Sequence, residues 1–471
     1  MATSPIRSKN RSQRAVLLVV GFLLIVGIGG YVYAQRVKPQ WFDREIVNEA
    51  ELTALDSAKL SVRVNNSTNG WPQWLGPTRD GRAPASPLRT DWDKRPPTVL
   101  WSMPCGGGHS SFAVVNGRVY TQDYQGGLER ILCLDATSGQ QLWAHEYPVN
   151  YDGIDRNFAN GPRATVSVGG NRVFSIGATG KLLAIDTPAV AGGTPAVAWE
   201  HDLLAEFDAK LPNWGVARSP LADGSLVIVQ PGGKSGMLVA FDRQSGELRW
   251  RAGNDPDGYS SPTIAVTGGI KQVVAIGGSK IVSVRLEDGA QLWEKPWATQ
   301  FQGNIATPLV IDDYLFVSSS YSKGCALIRL QPDAGGVRAE QVYFRANRVM
   351  QNHHANCVYR DGYLYGYDGS ELKCVNLRKG EVVPDWDARD DANKQLAKGN
   401  LILADQYLIG LTQTGTLFLA DADPKEFRFR GQVPGVLTGS KCWALPVLVD
   451  GRIYLRDDTK IVCLDVHPSQ K

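Results

Sequence analysis

Three stretches of the chain share one pattern: ILCLDATSGQQLW at 131–143, LVAFDRQSGELRW at 238–250 and VSVRLEDGAQLW at 282–293. In the first two, an apolar run ends at an Asp, Gly follows four residues later and Trp eight residues later. The Asp side chain can accept hydrogen bonds from the backbone of the next turn, and Gly supplies the positive φ that closes it. The pattern predicts two antiparallel strands, with the Trp on the second.

The pattern recurs along the whole chain at intervals of 43 to 56 residues. The positions equivalent to the first Asp, which we call markers, are Asp135, Asp186, Asp242, Arg285, Gln331, Asn376, Asp421 and Asp465. Glycines four residues after a marker are Gly139, Gly246, Gly289, Gly335 and Gly380. Earlier in three units, Asn116-Gly117, Asp223-Gly224 and Asp450-Gly451 predict a further two-residue hairpin turn. Eight units of four strands predict an all-β, eight-bladed β-propeller with four-stranded antiparallel blades.

The two ends of the repeat region complement each other. The eighth unit ends soon after Asp465 and lacks an outermost strand, whereas residues 98–102, TVLWS, precede the first unit as a spare strand. Trp101 would be the missing aromatic of the last blade. We therefore expect the ring to be closed by both ends of the repeat region, so that no sheet edge is left open by an incomplete blade.

The N-terminal region predicts export. Residues 15–34 form an uncharged apolar run of twenty residues, long enough for a transmembrane signal-anchor helix. Residues 1–14 carry four basic residues and no acid, so they are expected to form a cytoplasmic tail. Residues 35–70 are interpreted as a spacer and residues 71–467 as the propeller. The alternative is a cleaved signal peptide that releases the protein to the periplasm; both readings export the propeller.

Charge and cysteine content restrict the function. The net charge is +3, but because the tail contributes four positive charges the exported body has a net charge of −1. This balance argues against a nucleic-acid partner. Of the seven cysteines, Cys133, Cys374 and Cys463 stand two residues before a marker, where three of the other five units have Ala or Ser. We expect them to be small buried core residues.

The D-x-x-S/T-G-x-x-x-W repeats resemble those of the pyrroloquinoline quinone (PQQ)-like eight-bladed propellers over about residues 71–467. That family includes quinoprotein dehydrogenases and the non-catalytic outer-membrane assembly factor BamB. The opening WPQWLGPTRDG at 71–81 is similar to the start of many bacterial members. The resemblance implies the fold specifically, and it implies function less specifically, because one scaffold carries both enzymes and binding proteins.

Departures from the enzyme members favour a binding protein. No two cysteines are adjacent, whereas quinoprotein alcohol dehydrogenases carry a vicinal pair over the cofactor, and the loops that would hold calcium and quinone are short. No lipid-accepting Cys follows the apolar run, so the anchor differs from that usual for BamB. We expect a membrane-anchored, periplasm-facing scaffold without catalysis or cofactor, binding envelope or outer-membrane proteins or peptides. The alternative is a PQQ-dependent oxidoreductase of alcohols or sugars.

The candidate site is one mouth of the central channel, where the loops that enter each innermost strand converge. Aligning these entries places the following side chains on one rim: His109, Arg163, Arg218, Tyr259, His354, Lys398 and Trp443. Basic side chains without an acid suit a carboxylate or another anion, such as PQQ or an acidic peptide terminus. The alternative is that they cap channel carbonyls or pair with acids elsewhere, such as Asp155.

Two adjacent histidines raise the question of a metal. His353 and His354 lie in a segment expected to be extended, where neighbouring side chains point to opposite sides. We therefore expect that they do not chelate one ion, and we assign no metal site.

Overall fold

Eight antiparallel sheets build the part of the chain that the computed structural model describes, residues 46–57 and 70–468 apart from 156, 158–160, 189–191, 347–348 and 440. Seven of the sheets consist of strands consecutive in sequence, with an added strand in the fifth. The first strands of neighbouring sheets contact one another, which places these strands innermost around a common axis. The predicted eight-bladed propeller with four-stranded blades is confirmed.

From the innermost strand outward, each blade runs antiparallel throughout. Blade 1 consists of Ala113–Val115, Arg118–Gln125, Leu128–Asp135 and Gln141–Pro148, and blade 2 consists of Ser167–Gly169, Arg172–Ile176, Lys181–Asp186 and Ala196–Asp202. Blade 3 consists of Leu221–Asp223, Leu226–Val229, Leu238–Asp242 and Leu248–Ala252, and blade 4 consists of Thr263–Thr267, Ile270–Ile276, Lys280–Arg285 and Gln291–Pro296. Blade 5 consists of Leu309–Ile311, Tyr314–Ser319, Gly324–Asp333 and Gly336–Arg345, and blade 6 consists of Val358–Arg360, Tyr363–Asp368, Glu371–Asn376 and Glu381–Val382. Blade 7 consists of Gly399–Ala404, Tyr407–Thr412, Leu417–Asp421 and Phe429–Val433, and blade 8 consists of Val447–Val449, Arg452–Arg456, Lys460–Asp465 and Thr98–Pro104. The helical elements are Glu49–Ser57, Leu203–Glu206 and the 3₁₀ turn Gln300–Gln302.

The eighth blade is completed from the N-terminal side, as the sequence predicted. Thr98–Pro104 pairs with Lys460–Asp465, and Trp101 lies opposite Cys463. The three cysteines expected in the core, Cys133, Cys374 and Cys463, are fully buried free thiols. Among the described residues, no helix has the length and apolarity needed to cross a bilayer. The helix predicted for residues 15–34, together with the tail 1–14, lies outside the described residues.

Part of the predicted spacer, residues 35–70, belongs to a blade. Ile46–Val47 adds a fifth strand to blade 5 by pairing with Phe344 and Tyr343. The helix Glu49–Ser57 follows directly, and its Leu55 is completely buried in the core of blade 5. The Glu51 carboxylate accepts a hydrogen bond from Arg329 at 2.9 Å. This strand and helix cover the outer edge of that blade.

Neighbouring blades are joined by an aromatic side chain that packs on the glycine turn of the next blade. Trp199 of blade 2 donates from Nε1 to the Arg243 carbonyl at 3.3 Å, and a methyl group added at Gly246 would lie 2.6 Å from its Cγ atom. The same arrangement pairs Trp101 with Gly139, Trp250 with Gly289 and Tyr343 with Gly380. The positive φ at these glycines and the close contact both exclude a side chain.

The marker in blade 5 was misplaced by two residues. In blades 1, 2, 3, 6, 7 and 8 the marker pairs with the first residue of the second strand. In blade 5 that place is held by Arg329, opposite Tyr314, and not by Gln331. The third and fourth strands of blade 5 continue past this point to a turn at residues 333–336, so Gly335 closes a longer hairpin with open space around it. In blade 3 the first hairpin turn is also shifted, to residues 224–225, because Asp223 pairs with Leu226.

Residues 70–89, the base segment, cross one end of the channel. Each innermost strand starts at the entry loops, and the base segment contacts four of these strands further along, at Val114, Val168, Tyr359 and Leu403. Its backbone or side chains bond to blades 1, 2, 3, 5, 6, 7 and 8 at Val114, Val168, Pro220, Thr307, Tyr359, Leu403 and Val466. Arg79 is buried and donates to the Pro220 carbonyl at 3.0 Å. The base segment therefore closes this end of the channel, and the channel opens at the mouth formed by the entry loops.

The glycine contact between blades can be tested with two matched variants. Gly246→Ala and Gly335→Ala each place alanine at a left-handed φ, +78° and +83°, which costs about 1–2 kcal/mol. Only Gly246→Ala also meets a neighbouring ring, so its free energy of unfolding should fall by about a further 1–3 kcal/mol. Urea titrations of both variants measure the difference. Equal losses would contradict the role assigned to the Trp199–Gly246 contact.

Candidate functional site

The entry loops of the blades surround a cavity of about 440 Å³ at the mouth opposite the base segment. Its walls are mainly aromatic and apolar, and we call it the mouth pocket. The residues that line it are Trp74, His109, Arg163, Trp214, Ala217, Ser219, Tyr259, Ser261, Phe301, Ile305, Tyr321, His353, His354, Lys398, Gln413 and Trp443. This set includes two basic side chains, Arg163 and Lys398, and none of the described lining residues is Asp or Glu.

The structure brings six of the seven predicted rim residues together: His109, Arg163, Tyr259, His354, Lys398 and Trp443 all line the mouth pocket. Arg218 does not. Its side chain is 1% exposed, forms an ion pair with Asp257 and donates to the Gly258 carbonyl at 3.0 Å. An acid one loop away draws the guanidinium into the wall between blades, so for Arg218 the capping alternative is the correct one.

Aromatic rings form a continuous row along one side of the mouth. The ring centroids of His109 and Trp443 lie 4.9 Å apart with the rings tilted, and those of Trp443 and His354 lie 4.5 Å apart in a stacked arrangement. The row continues through His353 to Tyr321, at 5.2 Å and 5.3 Å between successive centroids, in tilted and edge-to-face contacts. Entry loops of blades 1, 8 and 6 and a loop of blade 5 thus contribute to one aromatic wall, which suits an apolar or aromatic group.

Lys398 lies against this row and has a histidine as its hydrogen-bond partner. Its ammonium donates to Nδ1 of His353 at 2.6 Å, and Nε2 of His353 lies 3.1 Å from the Tyr321 hydroxyl. Burial, and then the charge of Lys398, lower the pKa of His353 to about 4, so this imidazole is neutral at pH 7. Burial lowers the pKa of Lys398 to about 8. The pair is therefore a half-buried cation on a neutral acceptor.

Three buried nitrogen atoms in the row have no hydrogen-bond partner among the described residues. They are Nδ1 and Nε2 of His354 and Nε1 of Trp443. Burial lowers the pKa of His354 well below its ordinary value, so its ring is neutral and offers one donor and one acceptor. Because buried polar groups nearly always have partners, these atoms indicate that a bound molecule or water completes the site.

Arg163 agrees with both alternatives predicted from the sequence, a place on the rim and a hydrogen bond to a backbone carbonyl. It lines the mouth pocket, and its Nη1 also donates to the Gly161 carbonyl at 2.6 Å. Burial lowers the pKa of Arg163, whereas the nearby Tyr151 and Glu129 act in the opposite direction. Glu129 is itself fully occupied by hydrogen bonds from Tyr147, Tyr151 and the Ala178 amide. The guanidinium is thus held in place at the rim.

Several lining residues were missed by the sequence alignment of entry loops. Trp74 comes from the base segment and donates to the Thr307 hydroxyl at 3.0 Å, so it reaches the pocket from below. Trp214 and Phe301 lie on loops between blades, and Phe301 is 66% exposed at the mouth. Tyr321 lies on the loop between the second and third strands of blade 5. The WPQW motif was a visible signal for Trp74, whereas nothing periodic marked the other three.

The expectation that His353 and His354 point to opposite sides was wrong, because both rings line the mouth pocket with centroids 5.2 Å apart. The segment between blades 5 and 6 is not a regular strand at this point, so strand alternation does not apply. Within the described residues, no group of three His, Cys, Asp or Glu side chains is arranged to hold a metal ion.

Comparison with known proteins gives a family match. A family model described as outer membrane protein assembly factor BamB matches residues 127–383, more than half of the chain. The outer membrane protein assembly factor BamB of Moranella endobia (strain PCIT) is 24% identical over 251 residues. That alignment covers 49% of this chain and 59% of the relative, so less than two thirds of the relative's length is matched.

Solved structures share the fold at low identity. BamB from Moraxella catarrhalis aligns with a TM-score of 0.51 at 16% identity, covering 78% of this chain and 99% of that one. Quinohemoprotein alcohol dehydrogenase from Comamonas testosteroni aligns with a TM-score of 0.56 at 14% identity, covering 90% and 84%. At these identities the similarity concerns the fold alone.

The buried lysine predicts an unusual pH dependence of stability. Because the pKa of Lys398 is about 8 when folded and about 10.4 when unfolded, the unfolded chain binds more protons between these values, and stability rises with pH there. Lys398→Met removes the buried charge, so it should raise the free energy of unfolding at pH 7 by about 1 kcal/mol, allowing for solvent screening. Urea titrations from pH 7 to 10.5 measure this, with the exposed Lys234→Met as control. A loss of stability at pH 7 in Lys398→Met would contradict the prediction.

Proposed function

The chain belongs to the family of outer membrane protein assembly factor BamB, and on that premise we propose that it is a non-catalytic binding or scaffold module in the assembly of cell-envelope proteins. The observation that carries the proposal is the family match across residues 127–383, on a propeller whose fold is shared with a solved BamB. The partners proposed are envelope or outer-membrane proteins or peptides.

The geometry of the mouth pocket supports binding as its task. It joins flat ring surfaces to two basic side chains and leaves buried nitrogens of His354 and Trp443 without partners in the described part of the chain. Such a surface suits a segment with an apolar or aromatic group and a negative charge. A nucleic acid is not proposed, because the body of the protein is close to neutral.

We also propose where this module works. The apolar run at residues 15–34, preceded by basic residues, supports an inner-membrane anchor that leaves the propeller in the periplasm. A cleaved signal and a free periplasmic propeller is the alternative. In either arrangement the propeller meets its partners outside the cytoplasm.

A PQQ-dependent oxidoreductase is the second candidate, and the pairing of cations with ring surfaces is the observation that favours it. PQQ is a planar tricarboxylate, and the rings of His354 and Trp443 with Arg163 and Lys398 fit its organic part. They do not supply the carboxylates expected around the accompanying calcium ion, since none of the described lining residues is acidic. We therefore rank this function second and expect no cofactor.

Site-specific photocrosslinking in intact cells tests the first proposal. A photoreactive amino acid in place of Phe301, which is exposed at the mouth, should capture outer-membrane assembly proteins or their substrates. The same amino acid in place of Ala334, in the hairpin turn of blade 5 on the base face, serves as the control. Identification of the adducts by mass spectrometry gives the result, and equal capture of unrelated abundant proteins at both positions would contradict the proposal.

The second candidate is tested with the purified propeller. Calorimetric titration with PQQ and Ca²⁺, followed by dye-reduction assays with alcohols and sugars, should give neither binding nor turnover. Saturable turnover would overturn the non-catalytic proposal, and absence of binding would eliminate the oxidoreductase.

A further inference from the structure

Lys398 is a lysine in an aromatic pocket without an acidic partner. Its ammonium donates the 2.6 Å hydrogen bond to Nδ1 of His353, and it lies on the entry loop of blade 7, directly before the innermost strand Gly399–Ala404. The Lys398 carbonyl accepts from the Gln413 amide, which fixes the backbone of the loop. The amine is therefore held at one place in the pocket wall.

The groups that face Lys398 from the surrounding loops do not compensate a positive charge. Blade 6 presents the neutral rings of His353 and His354, blade 5 presents Tyr321 behind His353, and blade 8 presents Trp443. The other ionisable side chains of the pocket are His109, Arg163 and Tyr259, on the loops of blades 1, 2 and 4. A lysine in such surroundings gives up its proton more readily than one at the surface, and the burial-lowered pKa of about 8 agrees with this.

We propose that the mouth pocket is a carbonyl-binding site in which Lys398 captures an aromatic aldehyde or ketone as an imine. The unprotonated amine forms the new bond to the carbonyl carbon as the carbon–oxygen π bond breaks. The nitrogen gives up one of its two protons and the carbonyl oxygen takes one up, which yields a neutral carbinolamine. The nitrogen then loses its remaining proton to solvent as the C–O bond breaks, so one water molecule is released for each C=N bond formed. No oxidant or reductant takes part.

The pocket selects aromatic carbonyl compounds by its shape. The stacked rings of Trp443 and His354 line the same pocket as Lys398 and offer aromatic surface to a planar ring. The cavity of about 440 Å³ is large enough for one or two fused rings. Arg163 on the same rim favours a compound that also carries a carboxylate. This site does not depend on the scaffold role proposed above, which the cellular crosslinking decides separately.

Labelling of the intact purified protein with 4-formylbenzoate and cyanoborohydride tests the proposal, because the reductant converts an imine into a stable secondary amine. At pH 7.5 Lys398 should be labelled about tenfold faster than the exposed Lys234, since a larger fraction of its amine is unprotonated. Peptide mass spectrometry measures both sites in one sample. The rate at Lys398 should be half-maximal near pH 8 and should fall when benzoate occupies the pocket.

Two controls separate the site from general amine reactivity. Lys398→Arg retains the positive charge and should lose the fast label while Lys234 is labelled as before, with circular dichroism showing that the fold is kept. Ordinary reactivity would give a rate at Lys398 equal to that at Lys234, or a half-maximum near pH 10, and either outcome overturns the proposal. Labelling of Lys398 that benzoate does not slow would also overturn it, because the pocket would then have no part in the reaction.

Discussion

The circle of blades depends on one repeated contact, in which an aromatic side chain on the fourth strand of a blade covers the glycine turn of the next blade. The aromatic side chain also donates a hydrogen bond to the backbone there, as Trp250 does to the Leu286 carbonyl at 2.9 Å. Sheets arranged around an axis share little surface at their outer edges, so a large side chain must span the widening gap between blades. Glycine is required opposite it because a Cβ atom would overlap the ring, at 2.8 Å for Gly289.

Closure uses the same contact between the two ends of the repeat. Trp101, on the strand that completes blade 8, packs on Gly139 of blade 1 and donates to the Ala136 carbonyl at 3.2 Å. The first and last blades are therefore joined in the same way as blades 2 and 3, blades 3 and 4, and blades 5 and 6. The base segment adds a second, central connection, because it bonds to seven of the eight blades within the described residues. Stability is thus built at the periphery and at the base.

This division explains what the sequence could reveal. Turn glycines, markers and outer tryptophans repeat because every blade solves the same packing problem, so fold and closure were predictable; blade 5 was misread only where a longer hairpin moved Gly335 away from the equivalent position. The rim was largely predictable because entry loops align between blades. The orientation of Arg218 could not be predicted, because it depends on the ion pair with Asp257. The position of Trp74 in the mouth pocket could not be predicted either, because its hydrogen bond to Thr307 spans 233 residues of sequence.

The mouth pocket differs from the rest of the molecule in how its basic side chain is paired, and this difference favours a function in binding. Elsewhere buried arginines find carbonyl or acidic partners, as Arg456 does with the Gln122 and Gly106 carbonyls. At the mouth, Lys398 is paired with a neutral imidazole, and His354 has no partner among the described residues. Each of these features costs stability. The aromatic contacts between blades offset this loss in the free energy of unfolding. A bound molecule that supplies a negative charge, a hydrogen-bond partner or an electrophilic carbon would stabilise the mouth pocket.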